Sequence, residues 1–334
     1  MQQWRYGACV GARLAATIAA AAIWSIALSG HAAETMATKQ KAAKPDGQAV
    51  KVTPEMIGAG VVSSGVALPA IPPVTGTRDR PVASWGKPLP YPIVIVDYET
   101  RQITWTFGAS DTKGSKPGYF NYPDDAHLLA DGTVVTADIR NCRIQFIDPA
   151  TAKITAQWGK EGTCKHDPPR FLAYPNGSTP LDNGDILVTE IPDARITQMT
   201  RDGRVVWSTR APGIRYPSDA FPTRDGQIIV ADYSKPGRIV IFNPKTGKAT
   251  WQYAVASGEK MLDHPSLALE LPTGDVVVND DARHRVLVID RTTKEIIWQY
   301  GVTDTPGHAP GYLFYPDGMD IDVFRDWKAA LPGR

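Results

Sequence analysis

From Tyr122 to Gly159 short apolar runs alternate with turn residues in a way that predicts four β-strands. Residues 126–129 form an apolar run that Asp131-Gly132, a hairpin signal, brings to a close. Residues 133–137 are β-branched and apolar, and residues 143–148 place Ile144, Phe146 and Ile147 among polar neighbours. A turn at Asp148-Pro149 leads into residues 153–158, and Gly159 ends the unit. Four strands on tight turns in about forty to fifty residues have the size of one propeller blade. A single such sheet cannot bury both of its faces, so neighbouring copies must pack against it.

The plan recurs. Five segments close with a polar turn followed by a tryptophan strand, and Trp105, Trp158, Trp207, Trp251 and Trp298 lie 53, 49, 44 and 47 residues apart. Five openings pair an aromatic or histidine with proline: Tyr122-Pro123, Tyr174-Pro175, Tyr216-Pro217, His264-Pro265 and Tyr315-Pro316. Two independent series with one mean period predict an all-β propeller of four-stranded antiparallel blades. The series are out of phase at the ends, because the first Trp strand lacks an opening and the last opening lacks a Trp strand. Circular closure resolves this: residues 318–324 become the inner strand of a blade whose outer strands are 93–97 and 102–107, with 81–85 in the remaining place. That reading counts five blades, and a sixth built from residues 50–80 is the alternative. The propeller then spans residues 81–325, after a Pro/Ala/Lys-rich linker at 34–80 and before a tail at 326–334.

Composition adds the compartment. Residues 1–33 carry Arg5 and Arg13, an apolar run over 14–28 and small residues at 30–33, which reads as a signal for export to the periplasm or beyond. The run of about fifteen residues is shorter than the roughly twenty that span a bilayer, so no membrane segment is expected once the signal is cleaved. Beyond it 34 basic residues face 35 acidic ones, a near-neutral balance that gives no electrostatic reason to bind nucleic acid. Cys142 and Cys164 remain, an even number that suits an oxidising compartment. In a four-stranded blade the second-to-third turn and the outgoing connector emerge on one face. Cys142 lies in that turn and Cys164 in that connector, so a disulfide between them is expected. A monomer is expected.

Two connectors, GSKPGYFNYP (114–123) and GHAPGYLFYP (307–316), together with the ADxxNxRIxxxDP core at 137–149, resemble NHL-repeat β-propellers. NPKTGKATW (243–251) is similar to the Trp motif of quinoprotein propellers, and residues 181–207 resemble repeats of arylsulfotransferase-like propellers. These families share a fold and differ in chemistry, so the resemblance implies architecture rather than activity. The arylsulfotransferase resemblance also implies a channel histidine that accepts a sulfuryl group. His127, on an inner strand, matches best, with Asp125 to orient it.

The candidate chemistry divides into repeated and individual residues. Asp138/Arg143, Glu190/Arg195, Asp232/Arg238 and Asp280/Arg285 recur at one position and read as staples within each blade. The tryptophans read as packing between blades, which leaves pyrroloquinoline quinone without support. The residues after each opening proline, Asp124, Asn176, Ser218, Ser266 and Asp317, are expected to ring one mouth of the channel, with Asp219, Asp320 and Asp322 on the same strands. Their oxygens suit a polar ligand or a Ca²⁺ ion held by Asp124 and Asp317, set against a hydrated funnel with capped turns. Arg140 and His166 join them on the connector face. The function expected is that of a binding module for a protein, a carbohydrate or a small polar ligand. The alternatives are a sulfuryl-transfer or lactone-hydrolysing enzyme and, third, a quinoprotein-like dehydrogenase.

Overall fold

The computed structural model describes residues 21–24, 61–63, 93–97, 103–109 and 112–321. Four four-stranded antiparallel sheets follow one another in chain order. The first blade is Pro123–Leu128, Val134–Asp138, Arg143–Asp148 and Lys153–Gly159. The second is Pro175–Pro180, Ile186–Glu190, Arg195–Met199 and Val205–Arg210. The third is Pro217–Pro222, Ile228–Asp232, Arg238–Asn243 and Lys248–Ala254. The fourth is Pro265–Glu270, Val276–Asp280, Arg285–Ile289 and Ile296–Tyr300. First strands of successive blades touch one another, so they line the centre, whereas the last strands are largely exposed at the rim.

Every residue of each second strand is buried, because neighbouring blades cover both faces. Alternate residues of one strand therefore enter different cores. Ile228 and Val230 pack towards the second blade with Leu187 and Ile196, while Ile229 and Ala231 pack towards the fourth with Ala268 and Val278. Apolar burial on this scale is the main stabilising term of the ring. The tryptophans belong to these interfaces: Trp158 is buried edge-on against Phe146 at 4.8 Å, and Trp207 and Trp251 pack on the next two cores.

The acid that ends each second strand ties that strand to the connector entering its own blade. Asp138 accepts the Asn121 amide at 2.7 Å, Asp280 that of Asp263 at 2.7 Å, and Asp232 that of Tyr216 at 2.9 Å. Arg143 and Arg285 pair with Asp138 and Asp280 at 2.8 Å, and the same guanidiniums bind connector carbonyls. Arg238 stands 3.5 Å from Asp232. The expected Glu190/Arg195 staple is not formed. His166 takes the glutamate at 2.5 Å, and Arg195 turns to Ser208 at 3.3 Å. Glutamate is one methylene longer than the aspartate of the other blades, and its other oxygen already accepts the Ala173 amide at 2.5 Å, which faces it to the connector that carries His166.

The segments at the two ends of the repeat pair otherwise than expected. Ile93–Asp97 pairs with Ile103–Phe107 on one edge and with Ala21–Trp24 on the other. With both edges occupied no row of amides and carbonyls remains for the C-terminal strand, and Met319–Ile321 pairs instead with Val61–Ser63. The described residues thus hold four complete blades rather than five or six, flanked by a three-stranded and a two-stranded sheet. Ile93, Ile95 and Phe107 pack on the first blade, and Met319 and Ile321 pack on the fourth. Ala21–Trp24 falls within the segment read as a signal. The linker apart from 61–63, residues 81–85 and the tail lie outside the described residues. Among the described residues no helix is long and apolar enough to cross a membrane.

Candidate ligand site at the channel mouth

The mouth is built by a backbone device shared by four of the five openings. Tyr122, Tyr174, His264 and Tyr315 adopt left-handed backbone with φ of 59°, 49°, 54° and 47°. Such a conformation costs a non-glycine residue about 1–2 kcal/mol, so the surroundings must hold it. Part of that hold is the Tyr122 and Tyr174 carbonyls, which accept the amides of Ile139 and Ile191 at 3.1 and 3.2 Å. Proline follows each of the four and sets the chain on the inner strand. There every inner strand carries one residue more than its partner. Asp125, Asn176 and Ser266 are the extra residues in the first, second and fourth blades, and the bulge of the third spans Ser218 and Asp219. A bulge redirects side chains and interrupts pairing. Here it brings polar groups together at the centre.

The result is a ring. Asn176 Nδ2 lies 3.5 Å from Ser218 Oγ, and the Tyr216 hydroxyl reaches Asn176 Oδ1 at 3.4 Å. Ser266 donates to Asp281 Oδ1 at 2.7 Å, and the Asp281 carboxyl is hydrogen-bonded in turn to that of Asp317. Asp317 interacts electrostatically with Asp124, which returns the circuit to the first blade. Asp125 spans the first two blades: its Oδ2 accepts the Ser178 amide at 2.8 Å, and its Oδ1 lies 2.6 Å from His127 Nε2.

Carboxyls so close, in a poorly hydrated place, resist ionising together. Burial, with Asp125 beside it, pushes the Asp124 carboxyl up to about 7. Burial and mutual repulsion hold Asp219, Asp281 and Asp317 well above the usual carboxylate range. The Tyr216 phenol is raised by burial and by Asp124 and Asp317. Coupled groups of this kind titrate as a set.

The structure thus brings together all five residues expected at the mouth, with Asp125, His127 and Asp219 beside them. Arg140 sits exposed at the rim with its guanidinium 4.3 Å from the centre of the Tyr122 ring. His166 is held as the second blade's staple and does not join the ring. Asp320 lies on Met319–Ile321, and Asp322 is outside the described residues. Cys142 and Cys164 form the expected disulfide, Cα atoms 5.3 Å apart. Among the described residues no three His, Cys, Asp or Glu side chains are placed to hold a metal ion. Trp158, Trp207 and Trp251 stand at blade interfaces.

Asp281 was missed by sequence reasoning. It follows the staple acid Asp280, where the other blades carry Ile139, Ile191 and Tyr233. Aligning the repeats residue by residue exposes it as the one acid at that position.

A family model described as outer membrane protein assembly factor BamB matches residues 93–311. Protein brain tumor of Drosophila melanogaster is 32% identical over 132 residues, which cover 39% of this chain and 12% of that protein. Among solved structures, a catalytically inactive virginiamycin B lyase of Staphylococcus aureus with quinupristin aligns at a TM-score of 0.45 and 19% identity, covering 66% of this chain and 65% of the lyase. A protein of unknown function from Bacteroides caccae aligns at 0.43 and 13%, covering 73% and 93%. The chain therefore spans less than two thirds of the lyase and a small part of the Drosophila protein.

Proposed function

The chain belongs to the family of the outer membrane protein assembly factor BamB, and from that premise we propose that it is an exported propeller whose channel mouth binds a small polar ligand, or one polar side chain of a protein. The observation that carries this reading is the convergence of Asp124, Asn176, Ser218, Ser266 and Asp317, each from a different opening, on one ring. Blade folding needs no such gathering of acids. Repelling carboxyls destabilise a purely structural mouth, and a ligand that satisfies them accounts for the arrangement. The position of Asp317 between Asp281 and Asp124 supports a five-place ring at the channel, with the fifth place between the fourth and first blades. Export is supported by the pattern of residues 1–33 and by the disulfide, which belongs to oxidising compartments.

A second reading is favoured by one contact. His127 Nε2 stands 2.6 Å from Asp125 Oδ1, the imidazole–carboxylate proximity that general-base catalysis uses. Turnover of an aryl sulfate or lactone panel, lost in His127→Ala, would establish an enzyme in place of a binding module.

The binding reading is tested by thermal shift. Wild type and Asp124→Asn/Asp317→Asn are screened against calcium, sugars, amino acids and small amines. A compound that stabilises wild type and leaves the variant unmoved supports the site. No shift with any compound, or equal shifts in both proteins, removes it.

A further inference from the structure

We infer that the ligand presents an organic cation, an ammonium or guanidinium group, to the acids of this ring. The inference rests on the channel reading above and names the chemistry that fills it.

Three observations point the same way. The first is the composition of the ring, where Asp124, Asp219, Asp281 and Asp317 come from three blades and the closing segment and act on one another. A positive group among them offsets repulsion that the protein otherwise carries alone.

The second lies at Gly177. A Cβ built there would stand 2.6 Å from Asp219 Oδ1 and 2.7 Å from Thr189 Oγ1. Thr189 is 1% exposed, and its hydroxyl has no hydrogen-bond partner among the described residues; nor does Asp219 Oδ1. Two buried oxygens therefore crowd against Gly177 more closely than a Cβ would allow, and glycine is what lets them sit there. Buried polar atoms in native proteins are as a rule paired, so these two call for a donor from outside the chain. A fork of N–H groups answers both.

The third is the aromatic rim. Tyr122 already holds the Lys113 ammonium and the Arg140 guanidinium, each 4.3 Å from its ring centre. Tyr216, Tyr233 and His264 extend the rim, with centroid separations of 5.6 and 4.9 Å. Aromatic faces above an acidic floor attract cations, and nitrogen cations more than hydrated metals.

The experiment is isothermal titration of the full chain at low ionic strength with 1,4-diaminobutane, with its neutral counterpart 1,4-butanediol, and with calcium chloride. The diamine is expected to bind saturably at one site and the diol to give no binding. Asp219→Asn is expected to weaken the diamine at least tenfold, and Gly177→Ala, whose methyl must push the Asp219 and Thr189 oxygens aside, to weaken it as well. Circular dichroism of each variant establishes that it folds. Absent diamine binding, equal binding of the diol, binding of calcium alone, or affinity unchanged by Asp219→Asn each overturns the inference. A neutral compound whose thermal shift depends on Asp124 and Asp317, with amines inert, overturns this inference and leaves the binding reading standing.

Discussion

His166 Nδ1 stands 2.5 Å from Glu190 Oε2, in the place that Arg143 and Arg285 fill in the first and fourth blades. Glu190 is fully buried, and burial raises its carboxyl despite the Ala173 amide and His166. A buried acid that loses its partner bears the full cost of desolvation.

His166→Ala is therefore expected to destabilise the protein by about 2 kcal/mol. Arg195→Ala, which removes a bond to Ser208 and a longer-range attraction to Glu190, should cost less, about 1 kcal/mol. Urea unfolding of the two variants decides the matter. A costlier Arg195→Ala would restore the staple expected from the repeat.

The disulfide closes a loop of 22 residues between a blade turn and the connector leaving that blade. Chain-entropy estimates for such a loop give about 3 kcal/mol. Cys142→Ser/Cys164→Ser should lose about that much in urea, and reductant should move wild type to the same midpoint.

Gly159 ends the outer strand of the first blade and Gly301 follows that of the fourth, at φ of 78° and 92°. An added Cβ would lie 2.2 Å from the Cys142 carbonyl and 2.3 Å from the His284 carbonyl. Alanine at either position meets both strain and backbone, and a loss of about 2 kcal/mol or more is expected. Thermal unfolding that leaves either variant within experimental error of wild type would contradict the close approach.

The ring predicts an inverted pH response. Asp124 titrates near 7 when folded and near 3.8 when unfolded, so the folded chain binds the extra proton between those values. Its contribution to stability is full below about pH 4 and is lost as pH rises through 7. Asp124→Asn removes that loss. The variant should exceed wild type in stability at pH 8 by about 1 kcal/mol, and the difference should shrink by pH 5. A larger advantage at pH 5 than at pH 8 would reverse the sign of the argument.

The periodic features were legible in the sequence because each repeat states them again. The two series, the Asp138/Arg143 and Asp280/Arg285 staples, the tryptophans between blades and the five openings all follow from comparing copies. The Cys142–Cys164 pairing followed from topology alone. Closure was not legible, because the short apolar runs 21–24, 61–63 and 319–321 are equally suited to several partners, and only the occupied edges of Ile93–Asp97 decide between them. His166 was assigned to the open connector face because its partner depends on the extra methylene of Glu190. The bulges that aim Asp125, Asn176 and Asp219 inward have no residue signature, and Asp281 was passed over as a neighbour of Asp280.

If Asp124 and Asp317 hold a ligand rather than line a hydrated funnel, the wild-type protein must retain something that a variant without them loses. Mass spectrometry under non-denaturing conditions, on wild type and Asp124→Asn/Asp317→Asn purified alike from an exporting host, tests it most directly. A small molecule of defined mass is expected to be retained by wild type and absent from the folded variant. Equal masses beyond the two substitutions, whether both proteins carry the same adduct or neither carries any, would contradict it.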